Sequence, residues 1–298
     1  MLEERAWCST ALAYDGVAPD LRAEVLTVAS FRDISAGDWD LAIAHARSAI
    51  ALAPAPGEGI LAGVYAPLAI ALMVTDPDAA EREIDDAIQH VRRARAPAFS
   101  EAFLTSIKVG TALMRGDAAS AAERAHLVDA NLDPTNGMTF GLGFALHLLG
   151  DHEGAEADAS RRPIVSRVTG YGEHSRRLLF ALTAAARGRW DDAGRELATA
   201  AAHVRRYRYP LTLNDCIIAC GALAVLGGRL ERACTLLAAV VDRSFVRSPE
   251  VWAVYLHYRA RVRGGLELET IRRCRQEART IDLERALDEE LARLGAHA

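Results

Sequence analysis

The stretch AGDWDLAIAHARSAIALAP, from Ala36 to Pro54, decides the fold of this chain. It begins with Gly37, a residue that can take the left-handed conformation in which many helices end. Asp38 follows, and an aspartate at this position is a good N-cap for the next helix. An alanine-rich amphipathic segment then continues to Pro54. One such stretch would predict a single capped helix, but the same pattern recurs along the chain.

The recurring pattern is a glycine, then a polar residue, then an alanine five positions after the glycine. Its copies start at Gly37, Thr75 (which replaces the glycine), Gly116, Gly150, Gly188, Gly228 and, for a seventh copy that ends at Thr270, Gly265. The steps between these starts are 38, 41, 34, 38, 40 and 37 residues. Such spacing is typical of helical-hairpin repeats, in which the glycine ends a first helix and the alanine allows a second helix to approach closely.

The repeats predict an all-α protein built of helix pairs. First helices are expected at Leu21–Ala36, Ile60–Val74, Phe99–Arg115, Met138–Leu149, Gly172–Arg187, Leu211–Leu226 and Glu250–Arg263. Second helices are expected at Trp39–Leu52, Asp78–Arg95, Ala118–Ala130, His152–Arg161, Trp190–Arg206, Leu230–Val241 and Leu266–Thr280, and Leu283–Leu294 is expected to cap the end. We therefore expect residues 1–298 to form a single domain, a right-handed α-solenoid of about seven hairpins, of which the first is incomplete.

Composition and charge exclude several classes of protein. The net charge of −5 argues against direct binding of nucleic acid, whose protein partners are usually basic. The apolar run Ile60–Val74 contains Pro67 and is too short for a comfortable membrane span. The N-terminus lacks the apolar core of a signal peptide, and five sparse cysteines do not suggest a disulfide framework. We therefore expect a cytoplasmic protein without a membrane segment.

The sequence contains no catalytic or metal-binding motif. Cys216 and Cys220 lie four residues apart on one predicted helix, but a zinc site needs four ligands, so both are expected to be core thiols. His147, Asp151 and His152 cluster at one predicted turn, where helix capping and packing explain them without chemistry. We expect no cofactor, no metal and no enzymatic activity.

Three runs resemble a known family. Gly37, Asp38, Trp39, Ala42, Ala49 and Pro54 occupy positions that are similar to those of a tetratricopeptide repeat. The runs 17–52 (VAPDLRAEVLTVASFRDISAGDWDLAIAHARSAIAL), 218–244 (IACGALAVLGGRLERACTLLAAVVDRS) and 271–294 (IRRCRQEARTIDLERALDEELARL) resemble the helical-repeat region of LuxR-type ATPase regulators and their nucleotide-cyclase relatives, which are mostly actinobacterial.

In that family the repeat region follows a P-loop ATPase and often precedes a DNA-binding helix-turn-helix. A P-loop requires a lysine followed by serine or threonine, and Lys108, the single lysine here, is followed by Val109. The ATPase and DNA-binding functions therefore cannot be transferred to any residue of this chain. The resemblance implies a sensor or scaffold region that serves signalling and the control of transcription.

The leading functional expectation is a non-enzymatic region that binds a protein or peptide in a groove lined by the first helices. The exposed polar residues expected on that groove are Arg32, Lys108, His174, Asn214 and His257. The alternative is a helical domain that binds a small-molecule effector in a pocket inside the superhelix, or an enzyme that uses His147 or His174. A closed cavity lined by charged groups would favour the effector, and an open, smooth groove would favour the partner. The sequence also leaves a homo-oligomer open.

Overall fold

The computed structural model describes residues 2–14, 16–52, 61–95, 98–131, 141–161, 171–207, 210–241 and 248–295. Within these ranges the chain forms sixteen α-helices and no β-strand, which confirms the all-α prediction. The helices are α1 (Leu2–Ala13), α2 (Pro19–Ala36), α3 (Trp39–Leu52), α4 (Leu61–Thr75), α5 (Pro77–Arg93), α6 (Ala98–Met114), α7 (Ala118–Asn131), α8 (Gly141–Leu148), α9 (His152–Arg161), α10 (Tyr171–Ala186), α11 (Trp190–Tyr207), α12 (Pro210–Leu226), α13 (Leu230–Val241), α14 (Pro249–Gly265), α15 (Leu268–Ala278) and α16 (Leu283–Arg293). None of the helices found in these ranges is both long enough and apolar enough to cross a membrane.

The helix ends lie close to the predicted ones. Helices α3, α9 and α13 have the predicted bounds, and the other predicted ends differ by one or two residues, except the starts at Ile60 and Met138, which lie outside the described residues. Several helices begin earlier than predicted because a proline occupies the first turn: Pro19 in α2, Pro77 in α5 and Pro249 in α14. Proline suits this position because its missing N–H has no partner within the helix.

The chain divides into two compact units. Unit 1 comprises Met1–Arg115 and Glu123–Asp133, and unit 2 comprises Gly116–Ala122 and Pro134–Ala298. In unit 1, α2 packs against α1, α3 and α4, and α4 also packs against α5 and α6. In unit 2, α10 and α12 pack against their neighbours in sequence and against each other. The single-domain organisation over 1–298 stays a prediction. Two separate domains would give two compact units, and so would two parts of one continuous repeat array.

The predicted glycine turns have the expected geometry. Gly37 has a φ of 77°, and its N–H donates to the carbonyl oxygen of Ile34 at 3.0 Å. The N–H of Asp38 donates to the carbonyl oxygen of Asp33 at 2.9 Å, which completes a Schellman motif. The same two bonds recur at Gly150, Gly188 and Gly228. An aspartate side chain then caps the second helix: Asp76 accepts from the N–H of Ala79 at 3.0 Å.

The alanines five positions after each start all lie in the core. Their side chains are fully buried, as the close approach of the paired helices requires: Ala42, Ala80, Ala121, Ala155, Ala193 and Ala233. The small residues seven positions later, Ala49, Ala87 and Ala200, are also buried. Helix pairing in each unit therefore depends on alanine positions where a larger side chain would overpack the contact.

The seventh copy departs from the pattern. Gly265 does not have a positive φ but is the last residue of α14, and α15 begins at Leu268 after Glu267, whose side chain makes no capping bond. A Cβ atom on Gly265 would lie 2.5 Å from Cδ1 of Leu230. This glycine therefore packs closely against the side chain of Leu230 at the start of α13, and the prediction that it forms a left-handed helix end is wrong.

The last helix packs on earlier elements of unit 2. Helix α16 lies against α11 and α12. Its buried Glu290 is bonded by two arginines at the start of α13: Nη2 of Arg229 at 2.8 Å and Nε of Arg232 at 2.9 Å. Burial alone would raise the pKa of Glu290, but the bonds from the arginines hold it below its ordinary value. The end of the chain is thus fixed to the middle of unit 2 by a buried carboxylate.

Candidate functional site

A cavity of about 340 Å³ lies among α13, α14 and α15 in unit 2. Its size falls at the lower end of the range of small-molecule sites, about 300–1,000 Å³. Each helix contributes one face to the cavity, because its lining residues recur every three or four positions, as on one side of a helix. The lining residues are 234, 237, 238 and 241 on α13, 255, 259, 262 and 263 on α14, 271 and 275 on α15, and Arg279 at the C-cap of α15. The cavity is therefore a product of three converging amphipathic faces.

The floor of the cavity is apolar. Helix α13 contributes Cys234, Leu237, Ala238 and Val241, while Val262 and Ile271 close the other sides. Burial raises the pKa of the Cys234 thiol to about 11, with Cys274 as the next contributor, so this thiol is neutral near pH 7. It therefore belongs to the apolar surface and is not an activated nucleophile.

The charged lining of the cavity is entirely cationic. Among the described residues that line the cavity there are four arginines and no acidic side chain: Arg259, Arg263, Arg275 and Arg279. The guanidinium of Arg259 is oriented by Tyr255, whose ring centroid lies 5.6 Å from its Cζ atom. Arg263 and Arg275 are exposed at their positions on α14 and α15. The site thus combines an apolar floor with an excess of positive charge.

The acidic residues nearest in sequence on α13 and α15 have partners of their own. Arg273 bonds Glu231 at 2.8 Å and Glu277 at 3.3 Å. The hydroxyl of Thr235 also donates to Glu277, at 3.3 Å. These contacts fix α15 on α13 beside the cavity and engage both carboxylates outside its lining.

Two of the residues expected on a binding groove lie in unit 1. Arg32 on α2 donates from Nε to Oδ1 of Asp33 at 2.8 Å, and the buried Asp33 also contacts Nδ1 of His45 at 2.8 Å. Lys108 on α6 is ion-paired with Asp85 at 2.8 Å and with Glu81 at 3.1 Å. Both cations are mostly covered and are neutralised within unit 1, so neither presents an unpaired charge.

The other three expected residues lie in unit 2. The prediction of an exposed His174 on α10 is wrong: its side chain is buried because α10 packs against α11 and α12. Asn214 on α12 is half-buried, and His257 on α14 is exposed. Their role in binding stays a prediction.

His174 is part of a buried polar group. Its Nδ1 lies 3.4 Å from the carbonyl oxygen of Ala200, and its Nε2 lies 4.0 Å from Oδ2 of Asp215. Burial lowers the pKa of His174 to about 4 and raises the pKa of Asp215 well above its ordinary value. The group is therefore enclosed in the core of unit 2, where burial disfavours the charged form of both side chains.

The turn cluster of His147 and His152 is also internal. The Nε2 atom of His147 lies 3.0 Å from the hydroxyl of Tyr258 on α14, and the His147 and His152 ring centroids are 4.9 Å apart. Burial lowers the pKa of His147 to about 3. Asp151 accepts from the N–H of Gly154 at 2.9 Å, which confirms its capping role. Across the described ranges, no group of three histidine, cysteine or acidic side chains is placed to hold a metal ion.

The cysteines behave as predicted core residues. All five are buried free thiols, and Cys216 and Cys220 are completely covered. Burial raises the pKa of both thiols, which keeps them protonated.

Sequence reasoning missed the cavity arginines. Arg259 and Arg263 are four residues apart, as are Arg275 and Arg279, so each pair lies on one helix face. That spacing is a readable signal, but it indicates a site only when the two faces are known to converge with α13.

No protein-family model matches the chain, and comparison with curated proteins finds no similar sequence.

Proposed function

We propose that this chain is a non-enzymatic helical-repeat sensor that binds a small-molecule effector in the cavity among α13, α14 and α15. The observation that supports this most is the combination of an apolar floor and four arginines around a half-open space of about 340 Å³. A cavity lined by charged groups is the feature expected of an effector site and not of a smooth groove for a partner protein.

The packing of unit 2 also favours an effector over a partner groove. Helix α8 lies against α14, and the buried His147 contacts Tyr258 at 3.0 Å across this interface. Both α8 and α14 are first helices of their hairpins, and the first helices are those expected to line the groove. Because these two helices pack on each other, they occupy space in the groove that a bound peptide would need. A protein or peptide partner therefore stays the second candidate for this chain.

The wider role in this proposal comes from the repeat pattern. About seven tetratricopeptide-like hairpins in a right-handed solenoid, closed by a C-terminal helix, would make a regulatory arm of a signalling or transcription regulator in the cytoplasm. The resemblance of runs 17–52, 218–244 and 271–294 to LuxR-type regulators supports this assignment. Stacked hairpins are suited to it because a ligand between two neighbouring hairpins changes how they pack.

Catalysis is not part of the proposal. The imidazoles that could perform acid–base chemistry, His147 and His174, are buried away from the cavity lining. The thiol that does line the cavity, Cys234, is neutral. The arginines can bind and orient an anion, but a guanidinium does not exchange protons at physiological pH.

The test is a ligand-observed NMR screen of a fragment library by saturation transfer, with a variant that fills the cavity. Ala238→Trp places an indole on the α13 floor, and Ala157→Trp adds the same group at an exposed site on α9. We expect fragments that bind the wild-type chain and the Ala157→Trp variant but lose saturation transfer with Ala238→Trp. A screen in which no hit depends on Ala238 would refute the effector site.

A further inference from the structure

We infer that the ligand of this cavity is a small organic anion with an apolar body. Its carboxylate or phosphate group would be bound by Arg263 and Arg275, and its body would lie on the α13 floor formed by Leu237 and Val241. This inference rests on the proposed function, because it names the class of effector that the same cavity would bind.

The first support is unbalanced charge. Neither Arg263 nor Arg275 is ion-paired with an acidic residue of the described chain, and Arg259 contacts the ring of Tyr255 instead of a carboxylate. Three guanidinium groups that share one cavity repel one another, and an anion that binds between them relieves that repulsion. Guanidinium groups also match the geometry of carboxylate and phosphate groups through paired hydrogen bonds.

The second support is the contrast with the rest of unit 2. Most described arginines of this unit are ion-paired with an aspartate or glutamate. They are Arg161, Arg176, Arg177, Arg187, Arg189, Arg195, Arg205, Arg229, Arg232, Arg272, Arg273, Arg285 and Arg293. Acidic partners are thus plentiful on this unit, yet Arg259, Arg263 and Arg275 have none among the described residues; Arg261, which lies outside the cavity and contacts the ring of Tyr258, shares this with them.

The third support is the division of the cavity into an apolar floor and a cationic side. The four lining residues of α13 are apolar or a neutral thiol, whereas all the charge lies on α14, α15 and its C-cap. An inorganic anion would leave the floor in contact with water, and a neutral apolar ligand would leave the charges of Arg263 and Arg275 without a counterion. A volume of about 340 Å³ further restricts the ligand to a small aromatic skeleton or a short acyl chain.

A structural role for the same arginines makes a different prediction. Arg263 and Arg275 lie in the last turns of α14 and α15, where a cation stabilises the terminal carbonyl groups. If that were their only role, replacing them would lower stability without selecting between charged and neutral ligands. A matched pair of ligands therefore separates the two explanations.

The experiment uses two fluorescent probes with the same aromatic skeleton. One is the anion 1-anilinonaphthalene-8-sulfonate, and the other is the neutral N-phenyl-1-naphthylamine. We expect Arg263→Gln and Arg275→Gln each to weaken binding of the anion about tenfold or more, the usual effect of losing a charged hydrogen bond. Binding of the neutral probe should change by less than about twofold in both variants. Arg272→Gln is the control, because Arg272 lies on α15 but is paired with Glu269.

The outcomes separate the two proposals. If Ala238→Trp abolishes binding of both probes but the arginine variants leave the anion unaffected, the cavity binds ligands and the inferred anion preference is wrong. If Ala238→Trp affects neither probe, the effector site itself is refuted. Displacement of the anionic probe by octanoate or by phenyl phosphate then shows whether the preferred acidic group is a carboxylate or a phosphate. Displacement by neither compound, at concentrations up to the millimolar range, would contradict the inference.

Discussion

His147 and His174 show how unit 2 treats ionisable side chains in its core. His147 contacts the Tyr258 hydroxyl, and burial raises the pKa of that tyrosine to about 12, so both groups stay neutral. His174 faces the carbonyl of Ala200 and the buried Asp215, and burial raises the pKa of that carboxyl group, so it compensates a positive charge poorly. Burial therefore disfavours the charged form of both imidazoles.

The two histidines should consequently make stability fall in acid, while Asp215 and Glu250, whose pKa values are raised, act in the opposite direction. The pKa of His174 is lowered from 6.5 to about 4, so between these values the unfolded chain binds a proton that the folded chain excludes. Each buried histidine then removes about 1.4 kcal/mol of unfolding free energy per pH unit as the pH falls. For His147 the loss continues to about pH 3.

Urea unfolding of His174→Gln between pH 7 and 4.5 tests this assignment. The variant should lose less stability over this range than the wild-type chain does. The control is His126→Gln, which changes an exposed histidine on α7 and should leave the pH dependence unaltered. If the unfolding free energy of His174→Gln depends on pH as strongly as that of the wild-type chain, His174 can take up a proton in the folded state and the assignment is wrong.

At the scale of helices, most of the fold could be predicted from sequence. Local signals define the helix ends: Gly37 permits the left-handed turn, Asp76 caps α5, and Pro249 begins α14. The repeat pattern fails at Gly265 because the packing of this glycine against Leu230 is a contact between helices distant in sequence. The same limit applies to the cavity, since the arginine pairs are visible in sequence but the convergence of α13, α14 and α15 is not.

The helix turns predict opposite effects for two glycines. Gly188 has a φ of 75°, and a Cβ atom added to it would have no neighbour within 4 Å, so Gly188→Ala should cost roughly 1–2 kcal/mol through backbone strain alone. Gly264 lies inside α14 with an equally open Cβ position, so Gly264→Ala should increase stability, by up to about 1 kcal/mol.

Chemical denaturation of the two variants measures both effects. Because neither substitution meets a steric obstacle, the difference between them isolates the left-handed conformation. A Gly188→Ala variant as stable as the wild-type chain would contradict the role assigned to the repeated glycine.

At the scale of the whole molecule, unit 2 combines repeated hairpins with long-range contacts that the repeat pattern does not predict. Helix α8 meets α14, and α16 returns to α11 and α12. Glu290 and its arginines fix that return, while the pairs between α13 and α15 leave an arginine-lined cavity beside them. The binding site we propose is thus located within one unit, which makes its position testable on the intact chain.

Hydrogen–deuterium exchange of the intact chain, with and without saturating 1-anilinonaphthalene-8-sulfonate, shows where the ligand binds. We expect slower exchange in peptides from α13, α14 and α15, and no such protection in the Ala238→Trp variant. Unit 1 provides the internal comparison, because Trp7, Tyr14 and Leu21 expose apolar surface there to which the probe could bind instead. Protection confined to α1 and α2, or unchanged exchange in α13–α15, would contradict the proposed effector site.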